Sequence, residues 1–193
     1  TMLLTFTLML GLAAVAKPLI LCLIGDKWLP CIPFLQISCF QMMLYPLHSL
    51  NLNMLQVQGR SDLFLKLEIY KKIIAIGPLL LGVFIGIYWM LVGSVLTGFI
   101  SYYLNAYYSG PFMNYSIKDQ IKDVLPSFCV AITMAVPVFV MSFIPMNPLI
   151  LLPLQLLVGA IITITICEVT KLPEYFEIKG IAMPIINKLI KRK

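Results

Sequence analysis

The stretch IIAIGPLLLGVFIGIYWMLVGSVLTGFISYYLNAYYSGPFMNYSI, residues 73–117, contains no Asp, Glu, Lys or Arg. As one straight helix it would reach beyond about 60 Å, at about 1.5 Å per residue. The hydrocarbon core of a bilayer is only about 30 Å thick. The stretch must therefore fold back once, and the interfacial aromatic pair Tyr88-Trp89 marks the expected turn. A second uncharged run, Val124 to Cys167, has the same problem of length. Its turn is written as Pro145-Met146-Asn147-Pro148, a strong helix breaker. Leu29 to Gly59 and Thr1 to Ile24 add one apolar span each, the latter interrupted by Lys17-Pro18.

Composition agrees. Hydrophobic residues make up 61% of the chain and charged residues 11%, against about 25% charged in soluble domains. The expected fold is an all-α polytopic membrane protein with about six transmembrane helices, near 1–24, 29–57, 73–88, 91–108, 125–144 and 149–170. These form a lobe over residues 1–172, and a basic amphipathic cytoplasmic tail follows over 173–193. In that tail Ile185, Ile186, Leu189 and Ile190 oppose Lys188, Lys191 and Arg192, a pattern suited to an anionic lipid surface. A further amphipathic helix is expected at the interface before span five. There Ile117, Ile121, Val124 and Leu125 oppose Lys118, Asp119, Lys122 and Asp123.

Charge sets the orientation. With the start of the chain inside, six crossings leave Lys27 outside, Lys17 in the membrane and the other twelve Lys and Arg inside. That asymmetry satisfies the positive-inside rule and places both ends in the cytoplasm. The net charge of +6 then belongs to the inner membrane face and gives no reason to expect nucleic acid as a partner. The chain opens on Thr1 within an apolar helix, with no basic region or cleavage site before it, and reads as a piece of a longer protein. The five cysteines lack metal-ligand spacing and read as small apolar residues of helices.

Catalytic chemistry finds little support. The chain has one histidine, His48, with no paired outer carboxylates, no Gly-rich phosphate loop and no Cys-x-x-Cys. These features argue against an enzyme, a metal site or a cofactor. Polarity inside the membrane stands out instead. In span two, Ser38, Gln41, Tyr45, His48, Ser49 and Gln56 fall within an arc of about 100°, and Asn51, Asn53 and Gln58 add amides nearby. Such groups face either another helix or a water-filled cavity. Lys17 lies inside span one, where a lysine costs roughly 2.5–3.5 kcal/mol at the helix centre on insertion scales. It either snorkels outward on its long stem or lines a path for an anionic substrate, beside a helix kinked at Pro18. Arg60 is either an anchor of topology or the cytoplasmic mouth of the same path. Glu168, near the inner end of span six, is expected to pair with Lys171.

The run Tyr45-Pro-Leu-His-Ser-Leu-Asn-Leu-Asn-Met-Leu-Gln-Val-Gln-Gly-Arg-Ser-Asp-Leu-Phe-Leu-Lys-Leu-Glu-Ile-Tyr-Lys-Lys72 resembles the Wzx-type polysaccharide flippases. Ala16-Lys17-Pro18-Leu19-Ile20 and Gly25-Asp26-Lys27-Trp28 fit the same pattern. These flippases belong to the multidrug/oligosaccharidyl-lipid/polysaccharide exporter superfamily, and the colanic-acid exporters are the most similar in pattern. The resemblance implies the last six helices of a two-lobe transporter, most of its C-terminal lobe, in a bacterial cytoplasmic membrane. It also implies translocation of a polyprenyl-pyrophosphate-linked oligosaccharide for surface polysaccharide synthesis, with membrane lipids and the N-terminal lobe as partners. The residues matching a polar substrate path are Lys17, Gln41, Tyr45, His48, Asn51, Asn53, Gln56 and Arg60. The alternative is a drug/cation antiporter of the same superfamily, which would call for carboxylates at mid-membrane that these spans lack.

The topology is directly testable. In a cysteine-free background, single cysteines at Lys27 and Asn147 should react with an impermeant thiol reagent in intact cells. Cysteines at Ser61, Asp119 and Lys188 should react only after permeabilisation. Labelling at Asp119 in intact cells would rule out the six-span topology.

Overall fold

The computed structural model describes residues 1–180, all secondary structure in them being helical. In chain order the elements are α1 (Met2–Ala14), α2 (Ala16–Leu23), a 3-10 turn (Asp26–Cys31), α3 (Ile32–Met42), α4 (Tyr45–Val57), α5 (Ser61–Phe84), α6 (Ile87–Met113), α7 (Ile117–Met141) and α8 (Pro148–Thr170). A further helical segment covers 173–180. The amphipathic pattern at 184–192 lies outside the described residues.

Four helical stretches are long and apolar enough to cross a membrane: Asp26–Val57, α6, α7 and α8. The bent pair α1–α2 makes a fifth if it counts as one crossing. These apolar helices fit a multi-pass membrane protein. Their outward faces carry large apolar side chains such as Leu8, Leu96, Phe99, Val136, Leu157 and Ile161, all exposed. A protein surrounded by water rarely shows apolar surface on this scale.

Element boundaries differ from the sequence reading at several points. The hairpin expected at Tyr88-Trp89 turns earlier, at Ile85-Gly86, where Gly86 takes φ 130°. That region of backbone space is open to glycine and costly for a side chain, so the glycine fixes the corner. Tyr88 and Trp89 sit edge-to-face at 6.0 Å in the first turn of α6. The interfacial helix expected before span five is continuous with that span in α7. Ser116 caps its start by accepting from the Asp119 N–H, and Asp119 accepts in return from the Ser116 N–H. Pro126 and Pro137 lie within α7 without ending it. Span two pauses at Met43-Leu44, between α3 and α4. At the other hairpin the helix breaks between Met141 and Pro148, as the Pro-Met-Asn-Pro turn leads one to expect, and Asn147 caps α8 by accepting from the Leu149 N–H at 3.0 Å.

α1 lies at the centre of the packing, against α3 and α7. Phe6, almost fully buried, meets Phe128 of α7 edge-to-face at 5.3 Å. At the start of α1 the free Leu3 N–H donates to Glu174 at 3.0 Å, and the Ser127 hydroxyl donates to the same carboxylate oxygen at 3.0 Å. Glu174 thus ties residues 173–180 to α1 and α7. Glu168 does not pair with Lys171, which adopts a left-handed conformation just after α8. It pairs with Lys179 and accepts from the Tyr175 hydroxyl at 3.0 Å. The helix 173–180 folds back past α8 and brings Lys179 within reach.

The hairpin α5–α6 closes on a glycine. A Cβ at Gly93 would stand 3.2 Å from the Leu81 side chain and 3.3 Å from Pro78. A Cβ at Gly77, by contrast, meets nothing within 4 Å. Gly93→Leu should therefore force the helices apart and cost about 1–3 kcal/mol, read as a lower melting temperature in detergent. Gly77→Leu should melt close to the unsubstituted protein.

Candidate functional site

Two polar constellations occupy the interior. The first joins α4, α6 and α7. Asn51 and Gln120, both fully buried, form a reciprocal amide pair. The Asn51 Nδ2 donates to Gln120 Oε1 at 3.0 Å, and the Gln120 Nε2 donates to Asn51 Oδ1 at 3.1 Å. Tyr102 donates its hydroxyl to Gln120 Oε1 at 3.2 Å, and Ser109 donates to Asn51 Oδ1 at 2.8 Å. One turn away, Asn105 Nδ2 lies 3.3 Å from His48 Nδ1. With the amide nitrogen as donor, that contact makes Nδ1 the acceptor and leaves the ring neutral with its proton on Nε2. His48 also meets the Tyr102 ring edge-to-face at 6.0 Å. Tyr102, Asn105 and Ser109 recur at i, i+3 and i+7, which puts them on one face of α6.

The second constellation surrounds the break between α1 and α2, which bend by 66° at Val15. Pro18 has no N–H, so the carbonyl of Ala14 four residues earlier cannot find its helical partner. The Ser142 hydroxyl replaces it at 3.2 Å, and Gln36 from α3 donates to the neighbouring Ala13 carbonyl at 3.1 Å. Gln155 of α8 holds Ser142 in place, donating from Nε2 to the Ser142 oxygen at 2.8 Å and to the Val138 carbonyl at 2.8 Å. Gln36 and Ser142 thus supply polar groups to the broken helix, and Gln155 braces Ser142. Ala16, Pro18 and Ile20 face inward on α2, while Lys17 is exposed on the opposite face, with no hydrogen-bond or ion-pair partner among the described residues.

The eight residues of the expected path fall into different environments. Asn51 and His48 enter the buried network. Gln41 is half-buried, while Tyr45, Asn53 and Gln56 are exposed. The pause at Met43-Leu44 separates Gln41 from the residues of α4, so the arc drawn through one straight helix is not one face. Arg60 forms a two-toothed ion pair with Asp62, both contacts at 3.1 Å, and lies 5.2 Å above the Phe112 ring. The hydrogen bond to Asp62 raises the Arg60 pKa and lowers that of Asp62, so both stay charged. Near the α6–α7 turn, burial and the Asp123 carboxylate push the Tyr115 hydroxyl up to about 12. It remains protonated and donates to Asp123 at 2.6 Å.

Gln120, Asn105, Ser109, Tyr102, Ser142 and Gln155 carry most of the buried bonding and were not singled out in the sequence. The spacing on α6 was a usable signal, as was Gln155, the only amide of α8 and the only polar residue in its first half. Gln120 had none, being set among the charges of the α7 first turns. No group of three or more His, Cys, Asp or Glu able to hold a metal ion occurs among the described residues. No family model, curated protein or solved structure matches the chain.

The Asn51–Gln120 pair predicts a non-additive cycle. Asn51→Leu and Gln120→Leu should each cost about 1–2 kcal/mol, because each leaves the partner amide unpaired in an apolar interior. The double variant should cost clearly less than the sum, measured by denaturation in mixed micelles.

Proposed function

We propose that this chain forms most of one lobe of a membrane transporter that carries a polyprenyl-pyrophosphate-linked oligosaccharide across the bacterial cytoplasmic membrane for surface polysaccharide synthesis. The observation that carries the reading is the broken helix at Lys17-Pro18. A lysine with no partner among the described residues rides on a short bent segment, and the resemblance to the Wzx-type flippases covers those residues. Interrupted membrane helices are tolerated where neighbouring side chains satisfy the freed backbone, and transporters place substrate sites at such breaks. A lysine there offers a compact cation to a pyrophosphate. This reading takes a sixth crossing near 73–88, of which α5 supplies residues 73–84, following Lys66, Lys71 and Lys72. Arg60, fixed against Phe112, belongs to the cytoplasmic end, and a second lobe of helices completes the path between the two.

Lys17 tests the reading. In a flippase-deficient strain, Lys17→Ala in the full protein should lower surface polysaccharide by about tenfold or more, the loss of one charge-assisted contact. Lys17→Arg should retain part of it. Unchanged polysaccharide from Lys17→Met at equal protein level would overturn the role of Lys17 in transport.

A further inference from the structure

Among the described residues, three buried side-chain polar atoms lack any hydrogen-bond partner: Thr7 Oγ1, Asn105 Oδ1 and Gln155 Oε1. Two of these three belong to residues lining one cavity of about 440 Å³ between α1, α2, α7 and α8. Met134 forms its floor, in contact distance of Gly11 on α1 and Gly159 on α8, where a Cβ would come within 3.4 Å of it. The glycines thereby leave room that larger side chains would fill.

The lining dictates the occupant. No charged side chain faces the cavity, and its walls are mostly aliphatic, with Val15, Leu19 and Leu152; the Thr163 hydroxyl on the lining is spent on the Gly159 carbonyl of its own helix. Gln155 is fully buried, and its Nε2 is committed to Val138 and Ser142. Only Oε1 is left, an acceptor in need of a donor. Leu8, Leu156 and Ile164 at the rim are apolar and more than half exposed, so the cavity opens where acyl chains would lie. A volume of this size is in the range of small-molecule sites, which combine apolar walls with a few placed polar groups.

We infer that this cavity binds an uncharged single-chain lipid alcohol, whose hydroxyl donates to Gln155 Oε1 while its chain lies along Val15, Met134 and Leu152. Thr7 offers a second polar contact about two turns below the α1–α2 break. The inference does not rest on the transport reading, since it uses Gln155, Thr7 and the apolar walls, and Lys17, on the exposed face of α2, is not among the lining residues. It ties lipid occupancy to the broken helix, because the residue that receives the hydroxyl also holds Ser142 on the Ala14 carbonyl.

Photolabelling with a diazirine-bearing hexadecanol, against its methyl ether, reads the inference out. The ether keeps the chain and the oxygen and loses the donor. In the purified full chain in detergent, the alcohol should label peptides of α1 and α8 about fivefold more than the ether, as one hydrogen bond allows. Gln155→Met should remove that preference. Ala160→Phe, at an exposed position on the cavity lining that makes no side-chain hydrogen bond, should cut labelling by the alcohol about fivefold without lowering the melting temperature. Equal labelling of the unsubstituted protein by alcohol and ether would overturn the inference, as would labelling unchanged by Ala160→Phe. Should Gln155→Met fail to fold, these two comparisons decide alone.

Discussion

In hydrocarbon no water is available to pair a freed backbone carbonyl, so each one must find a donor within the protein. This constraint governs the centre of the molecule. Pro18 removes a donor, and the helix breaks at Val15. Gln36 and Ser142 then supply replacements from α3 and from the residue just beyond α7. Gln155 of α8 holds Ser142 where it is needed. One missing N–H in α2 is thereby coupled to Ser142 and, through it, to α8, with α3 bonded to the neighbouring carbonyl.

Packing among these helices has a different physical basis from that of a soluble core. Lipid chains are as apolar as leucine, so burying Phe6 against Phe128 gains contact and fit more than release of water. Specificity then falls to close approaches and to polar pairs. Gly93 against Pro78 and Leu81, and Gly11 and Gly159 against Met134, provide the first. The Asn51–Gln120 amide pair provides the second, joined by Ser109 and Tyr102. A single wrong register of α4 against α7 would strand two buried amides, which makes the network a selector of register as well as a source of stability.

The Asn51–Gln120 pair and the bent pair α1–α2 differ in how well they are satisfied, although Asn105, beside the former, also keeps Oδ1 without a partner among the described residues. Asn51 and Gln120 use both their donors and their acceptors within the protein. Around the break, Gln155 and Thr7 each keep an oxygen without a partner among the described residues, beside an apolar cavity. The first arrangement suits a fixed joint. The second leaves polar capacity unspent next to the bend between α1 and α2, where the proposed lipid alcohol would reach Ser142 through Gln155.

Much was legible in the sequence because membrane length is a hard ruler. Two uncharged runs of over forty residues had to fold back, Pro145 to Pro148 had to break a helix, and Lys17-Pro18 had to interrupt another. What the sequence left open was decided by contacts between elements distant in the chain. The α5–α6 corner fell at Gly86 because positive φ there favours glycine over the aromatic pair that follows. The polar arc drawn on span two dissolved at Met43-Leu44, leaving Asn51 and His48 inside and Tyr45, Asn53 and Gln56 outside. Gln120 looked like one more polar residue of an amphipathic surface. Its burial follows from the packing of α4 and α6 on the first turns of α7, and helical periodicity within one segment holds no information about which partner covers its face.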